Sequence, residues 1–346
     1  MTLQQRVVLA GASGFVGRHV SEALELAGYT VVRIGRAEPI SWNDPSGVRE
    51  AIDGAEAVIN LAGKSVNCRY TTHNREEIFR SRVETTRILG EAIASATAPP
   101  TVWLNASTAT IYRYAMDLPM NEHTGEFGQG FSVDVAKAWE NELFAADTPS
   151  TRKVALRMAI VLGDGGATTP LLTLAKLGLG GAQFDGPWFS HRRYRGIGPQ
   201  ASEPKAHNTR SRGLQRVSWI DIRDVTRAIL WILIRSDLEG PVNLATPHST
   251  TNRRLMRTVR SVVGAKFGFG AFRWMLEPAM WLLRTEPELI LKSRWAEPAR
   301  LLESGFTFEH TSLRDTLADA LVRLKQGRDR VRYSPSPKLP LKRERI

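Results

Sequence analysis

The feature that most constrains this chain is a glycine triplet at the end of an apolar run. Arg6-Val7-Val8-Leu9-Ala10 leads into Gly11-Ala12-Ser13-Gly14-Phe15-Val16-Gly17, and His19 to Leu26 continues with apolar residues at helical spacing. The pattern predicts a buried strand, a tight turn and a helix. Gly11 permits the turn, Gly14 lets the backbone come close to a pyrophosphate, and Gly17 lets the helix pack on the strand. The free N–H groups around Ser13, Phe15 and Val16 and the positive end of the helix dipole then face the phosphates. A bare strand-to-helix turn is the alternative for a triplet alone. Two further strands argue against it: Thr30 to Ile34, one helix later, and Ala57 to Asn60, followed by Leu61-Ala62-Gly63, where small residues leave room for a dinucleotide.

A length of 346 residues predicts one large domain or two intimate ones. A single cysteine, Cys68, excludes an intramolecular disulfide, and no charged-then-apolar leader precedes the first strand, which suits the cytoplasm. The longest uncharged apolar run, Ala228 to Ile234, falls far short of the ~20 residues that span a bilayer. A net charge of +12 would ordinarily suggest nucleic acid or a membrane surface. However, residues 186–217 carry seven Lys or Arg against one Glu, and residues 325–346 carry eight against one Asp and one Glu. The remaining body is close to neutral. The expected partner is therefore a small molecule, with no nucleic acid and no membrane, and an oligomer is compatible with the chain.

After the second strand, Arg36 stands where an NAD-specific fold places an acidic residue for the ribose 2′-hydroxyl. An arginine suits a 2′-phosphate, so NADP(H) is expected over NAD(H). Asp53, after a short helix, is expected near the adenine edge. Residues 64–76 are polar and read as irregular, and Ile78 to Ala94 reads as a long helix. On it, Arg82 and Thr86 lie one turn apart and either face the cofactor or form a surface i,i+4 pair. Thr101 to Tyr112 reads as a strand and its exit. Ligands of an open parallel sheet lie beyond the C-terminal strand ends, so Ser107, Thr108 and Tyr112 are candidate donors beside a nicotinamide, or plain turn hydroxyls.

Further motifs are Ser81-Arg82-Val83-Glu84-Thr85-Thr86, Trp139-Glu140, Gly178-Leu179-Gly180-Gly181, Ser218 through Asp224, Gly240-Pro241-Val242-Asn243-Leu244 and Leu301 through Phe308. In this order the chain resembles the extended short-chain dehydrogenase/reductase superfamily. Within it, the chain is similar to the nucleoside-diphosphate-sugar epimerase family that carries a C-terminal extension of the DUF1731 type. The resemblance implies an enzyme in which a helical Tyr-x-x-x-Lys pair moves a proton while a nicotinamide moves a hydride. Counting back from Glu140 puts those two positions on Ser132 and Ala136, and Lys137 lies one residue late, about 100° round the helix. Thr108 matches the family's substrate-hydroxyl Ser/Thr. Tyr112 or Lys137 then has to supply proton transfer.

Phe184 to Gln215 stands where the resembling family has a short hairpin. Its His191-Arg192-Arg193-Tyr194-Arg195 cluster and its lack of periodicity predict a long surface loop. The cluster can clamp a phosphate or diphosphate, remain solvated, or meet RNA. Asp224 is expected to cap a helix over Val225 to Ile234, and residues 252–263 form another. Aromatic-rich Gly268 to Leu283 packs within the extension or lies at a membrane surface. Lys292 and Arg294 either meet an anionic substrate or form structural salt bridges. Prolines and charges alternate from Gly327 onward and predict disorder.

These readings predict an α/β fold, a Rossmann-type doubly wound parallel sheet with a smaller C-terminal substrate lobe. Residues 1–165, completed by about 218–245, form the NAD(P)-binding domain; 166–217 and 246–324 form the lobe; 325–346 form a basic tail. The cofactor residues are Gly11, Ser13, Gly14, Phe15, Val16, Gly17, Arg36, Leu61, Ala62, Gly63, Arg82 and Ser107. The catalytic candidates are Thr108, Tyr112 and Lys137, with no metal. The expected activity is that of an NADP(H)-dependent epimerase or oxidoreductase acting by hydride transfer on a hydroxyl or carbonyl carbon of a nucleotide-sugar-like substrate. The missing Tyr-x-x-x-Lys pair favours the alternative, a non-catalytic NADP(H) sensor or partner-docking protein.

Overall fold

Alternation decides the first strand. β1 (Arg6–Ala10) turns Val7 and Leu9 to one face of a sheet and Val8 and Ala10 to the other, and all four are fully buried. Burial on both faces requires helices above and below, as in a parallel sheet. A computed structural model describes residues 5–199, 201–203, 209–282 and 286–326 and supplies those helices. α1 (Phe15–Leu26) returns the chain along one face to β2 (Thr30–Ile34), which pairs parallel with β1. α2 (Pro45–Ile52) is capped by Asp44, which accepts from the Gly47 N–H, and leads to β3 (Ala57–Asn60) on the other side of β1. α3 (Thr72–Ala94), β4 (Val102–Thr108), a 3-10 turn over Ala109–Ile111, α4 (Phe131–Ala145) and β5 (Arg152–Met158) extend the sheet.

The chain then leaves the sheet through β6 (Ile160–Leu162), α5 (Thr168–Lys176), β7 (Gln183–Phe184), β8 (Arg216–Val217) and β9 (Trp219–Asp221). It returns through α6 (Ile222–Ile234) to β10 (Gly240–Leu244), which pairs parallel with β5. The order β10-β5-β4-β3-β1-β2 makes a doubly wound, Rossmann-like sheet whose winding reverses between β1 and β3. Residues of α1 and α6 cover one face, and residues of α2, α3 and α4 cover the other.

The remainder comprises β11 (Thr250–Thr251), α7 (Asn252–Val263), β12 (Ala271–Phe272), α8 (Arg273–Leu282), α9 (Glu288–Leu291), α10 (Ala299–Glu303) and α11 (Leu313–Lys325). α5, α7 and α11 build a second core around Trp219, with Leu172, Leu255, Val259 and Leu317. α8 turns Leu276 and Met280 toward Leu291 and leaves Trp274, Trp281 and Leu282 exposed. Residues 293–297 form a strap bonded through the backbone on both edges. Arg294 bonds to Arg216 and Ser218, and Trp295 and Glu297 bond to Met120. The strap ties the extension to the exit of β4.

Several local expectations change. α3 begins at Thr72 rather than after residue 76, because Thr71 accepts from the Asn74 N–H and caps it. α6 is capped by Asp221, which accepts from the Arg223 N–H. Asp224 lies inside the first turn, pairs with Arg227 at 2.7 Å and accepts from the Glu309 and His310 N–H groups. Asp53 lies at the N-terminal edge of the sheet. Its carboxylate accepts from the Ala98 N–H and its carbonyl accepts from the Arg6 side chain, so it is at the wrong end of the strands to meet an adenine. The described part of 184–215 is anchored rather than loose. Tyr194 bonds to Glu277, Ser202 to Asp134 and the Gly130 N–H, and Arg75 donates to the carbonyls of Arg192, Arg195 and Gly196. Arg192 and Arg195 stay exposed, Arg195 beside Glu203. The tail beyond residue 326 and the side chain of Arg193 lie outside the described residues. Among the described residues no helix is long and apolar enough to cross a membrane, and no group of three or more His, Cys, Asp or Glu is placed to hold a metal.

Candidate functional site

The C-terminal ends of β1, β3 and β4 open on one edge of the sheet, where the winding reverses. Gly11 has φ +82°, and a Cβ there would stand 2.7 Å from the Leu61 carbonyl. At Gly17 a Cβ would stand 2.1 Å from the Gly11 oxygen, so helix and turn meet at backbone contact. Gly14 differs: a Cβ there would meet only the Gly11 oxygen, at 3.3 Å, and the space above it is open. α1 starts after Gly14 with no side-chain cap and no acidic residue in its first turn. The N–H groups of Phe15, Val16 and Gly17 are thus left for an anionic ligand, and a pyrophosphate fits this cradle. Ser13 and Gly63 are exposed at its rim. Leu61 is half-buried, and the Ala62 N–H donates to the Asn60 side chain. Arg36 stands exposed just past β2.

Two supports beneath the cradle escaped the sequence. The Phe15 ring lies against Gly163, Gly165 and Gly166, and His19 Nε2 lies 3.0 Å from Asp164 Oδ1 with both side chains buried. Burial alone would raise the Asp164 carboxyl, but the His19 hydrogen bond and charge outweigh it and hold the group below the usual carboxylate range. On the other side, Arg82 donates to the carbonyls of Lys64 (3.1 Å) and Ile78 (2.9 Å), lies over Trp139, and would touch a Cβ at Gly63. Burial pulls this guanidinium down to about 10. Thr86 is fully buried and accepts from Trp139 Nε1 (3.0 Å) and Asn60 Nδ2 (3.3 Å), so it ties strand ends together rather than facing the cleft.

A row of polar residues crosses the sheet under the cleft. Ser107 on β4, Arg157 on β5 and Asn243 on β10 are in register. Arg157 donates to both Glu140 oxygens (2.8 and 2.7 Å) and to the Tyr112 hydroxyl (2.9 Å). Ser107 donates to Glu140 (2.5 Å), and Tyr112 donates to Asn243 Oδ1 (2.9 Å). All five side chains are buried, and burial pushes the Tyr112 phenol up, with Arg157 opposing only in part. Ser107 and Tyr112 therefore spend their hydroxyls inside the fold. The Trp139-Glu140 motif is the helical half of these two networks.

The three catalytic candidates end in different settings. Thr108 is half-buried at the strand end, accepts from the Thr110 N–H (3.1 Å) and lies 3.0 Å from the Thr110 hydroxyl. Tyr112 is in the buried row. Lys137 Nζ donates to the Gly128 carbonyl at 3.2 Å, beside the Phe127 ring. Ser132 Oγ lies 3.4 Å from Glu288 Oε2 in the extension. Glu288 Oε1 is 3.9 Å from Lys292 Nζ, which in turn reaches the Thr110 carbonyl at 3.4 Å. Burial pushes the Lys292 amine down to about 8, with Glu288 and Asp134 opposing and Arg294 adding to the shift. The sequence marks Lys292 for an anionic substrate or a salt bridge, whereas its neighbours Glu288, Ser132 and Thr110 are brought to it only by the fold.

Comparison with known proteins agrees with this architecture. The model of the NAD dependent epimerase/dehydratase family matches residues 7–170, and a domain of unknown function, DUF1731, matches residues 271–320. Epimerase family protein ML0860 of Mycobacterium leprae is 27% identical over 330 residues, covering 93% of this chain and 97% of that protein. Epimerase family protein SDR39U1 of Bos taurus is 27% identical over 329 residues, covering 92% and 100%. Among solved structures, human epimerase family protein SDR39U1 (isoform 2) with NADPH gives a TM-score of 0.76 at 24% identity, covering 92% of this chain and 100% of that one. MoeE5 in complex with UDP-glucuronic acid and NAD gives 0.69 at 19% identity, covering 93% and 99%. At these identities the structural likenesses show a shared fold.

Proposed function

We propose that this chain, whose residues 7–170 match the NAD dependent epimerase/dehydratase family and whose residues 271–320 match DUF1731, is an NADP(H)-dependent enzyme acting on a hydroxyl or carbonyl carbon of a nucleotide-sugar-like substrate. The open glycine cradle at the start of α1, placed where the sheet winding reverses, carries this reading. The first-turn N–H groups of α1 would hold the pyrophosphate, Leu61, Ala62 and Gly63 would line the opposite wall, and Arg36 would meet a 2′-phosphate. When bound, the nicotinamide supplies or accepts the hydride. The chain's own work is to hold the substrate oxygen beside the Thr108 hydroxyl and to move a proton at that oxygen. On this reading residues 1–165 with 218–245 serve the cofactor, and 166–217 with 246–324 serve the substrate. NADPH in human SDR39U1 and the UDP-sugar in MoeE5 support the ligand classes.

A second reading, a dinucleotide binder without catalysis, is favoured by Ser132 and Ala136 at the positions of the missing pair and by the bonds that occupy Tyr112 and Lys137. Titrating the wild type and Arg36→Ala with NADPH and NADH tests the cofactor assignment. The variant is expected to bind NADPH about tenfold more weakly and NADH unchanged. Equal NADPH affinity removes the 2′-phosphate role. A nucleotide-sugar panel, read by nicotinamide absorbance, product stereochemistry and deuterium uptake, separates enzyme from binder. Failure to bind any dinucleotide sinks both readings.

A further inference from the structure

The end of β4 and the first turn of α4 frame the place where the resembling superfamily keeps its proton carriers. Here α4 contributes Ser132, and the fully buried Ala136 has no polar atom to offer on its side chain. A third element fills the same corner. The strap and the short helix before it bring Glu288 against Ser132 and Lys292 against the Thr110 carbonyl. Thr110 is in turn bonded to Thr108. A line of polar contacts thus runs from Thr108 at the strand end through Thr110, Lys292 and Glu288 to Ser132, drawn from three separate elements.

Resting on the function proposed above, we propose that Lys292 is the group that exchanges a proton with the substrate oxygen, with Glu288 and Ser132 as its positioning residues. In the reducing direction an N–H bond of the Lys292 ammonium breaks and an O–H bond forms on the substrate oxygen. The neighbouring carbon gains the hydride that a reduced nicotinamide supplies, and water returns a proton to the amine. The oxidising direction runs the same bonds in reverse.

The geometry suits the task. The Lys292 side chain is one-tenth exposed, which leaves it reachable yet mostly dry. Its ion pair with Glu288, at 3.9 Å, is too long to lock the proton in place. The charged and titratable groups around it are Glu288 and Arg294 on its own segment, Asp134 on α4, and Glu286, Tyr70 and Arg75 behind Glu288. The Asp134 carboxylate accepts from the Ser202 hydroxyl and N–H groups. Burial lowers the amine to about 8, where an amine can both give and take a proton near neutrality. Reduction then needs the charged form and falls as pH rises through that value, whereas oxidation rises through it.

The test follows the Lys292 amine by NMR of lysine-labelled full-length protein with NADPH present, assigning its signal by its loss in Lys292→Arg. The expected midpoint is near 8. In Glu288→Gln it moves lower, because a charge that favours the ammonium is gone. A midpoint at the ordinary lysine value of about 10.4 overturns the assignment, whatever the turnover. In parallel, Lys292→Met and Lys292→Arg are expected to lose about 10²–10⁴-fold in turnover while binding NADPH normally. Arginine keeps a cation beside Glu288 but cannot release a proton, so recovery of turnover in Lys292→Arg overturns the role even if Lys292→Met folds poorly. A wild type that shows the lowered midpoint but binds no dinucleotide brings down the function reading instead.

Discussion

Replacing Tyr112 with Phe separates a structural phenol from a catalytic one. The Tyr112 ring is 2% exposed and packs with Ile111, Met120 and Ala136, contacts that phenylalanine retains. What disappears is one oxygen that donates to Asn243 Oδ1 and accepts from Arg157 Nη1, each at 2.9 Å. Asn243 keeps its amide bond to the Glu297 carbonyl and Arg157 keeps both bonds to Glu140, so neither residue should move far. Each is nonetheless left with one buried polar atom lacking a partner, at about 1–3 kcal/mol apiece and more for the charged one. The two losses share a site and are not additive, which puts the expected destabilisation at about 2–4 kcal/mol. Urea denaturation of wild type and Tyr112→Phe measures it, and NADPH titration of the two proteins should give the same affinity. A loss below about 0.5 kcal/mol would place the hydroxyl among surface-like contacts and refute the buried-row argument. Full stability combined with abolished turnover would refute it more sharply, by returning Tyr112 to the chemistry.

Two further outcomes follow from the cradle. Gly17→Ala puts a Cβ 2.1 Å from the Gly11 oxygen, a backbone atom that cannot step aside alone, so it should destabilise by about 1–3 kcal/mol and weaken NADPH binding; unchanged affinity in calorimetry would show that the turn is not a phosphate cradle. The Asp164 carboxyl is held below its ordinary value by His19, so its contribution is fully present above about pH 4 and is lost as pH falls through the lowered value. Asp164→Asn should therefore flatten the acid limb of urea midpoint against pH, and identical limbs in the two proteins would remove His19–Asp164 as a clasp.

What was legible in the sequence was local. β1 with its glycine turn announces itself because strand burial, turn and helix packing all act within about twenty residues. α7 is legible at its observed bounds because Leu255, Met256 and Val259 repeat at helical spacing beneath the Thr251 cap. The start of α3 is illegible in the sequence for the opposite reason. Arg75 there meets the backbone of the 192–196 segment rather than an apolar core, so the first turn shows no hydrophobic period. Asp224 looked like a cap because it precedes the apolar run. The true cap, Asp221, is three residues earlier because Ile222 is already in the core. Arg157 with Glu140, and His19 with Asp164, are partners that only the closed sheet brings together, and no spacing rule reaches across such distances in the chain.

The two departures from the resembling superfamily, the missing helical pair and the extension, account for each other. A lysine on α4 would be oriented by its own helix. Lys292 gains comparable definition from the strap that follows it, where Arg294 is bonded on one edge to Arg216 and Ser218 while Trp295 and Glu297 hold Met120 on the other. Ser293, next in sequence, adds a side-chain bond to the Ala115 carbonyl and accepts from the Arg216 N–H. A side chain mounted on backbone fixed in this way loses little further freedom when substrate arrives, which is the physical content of preorganisation. Because the strap bonds both to β8 and to the segment leaving β4, the extension cannot lift from the cleft without breaking the bonds that place Lys292. On this assignment the C-terminal region is part of the reacting wall, and a hinged cover would be the wrong picture of it.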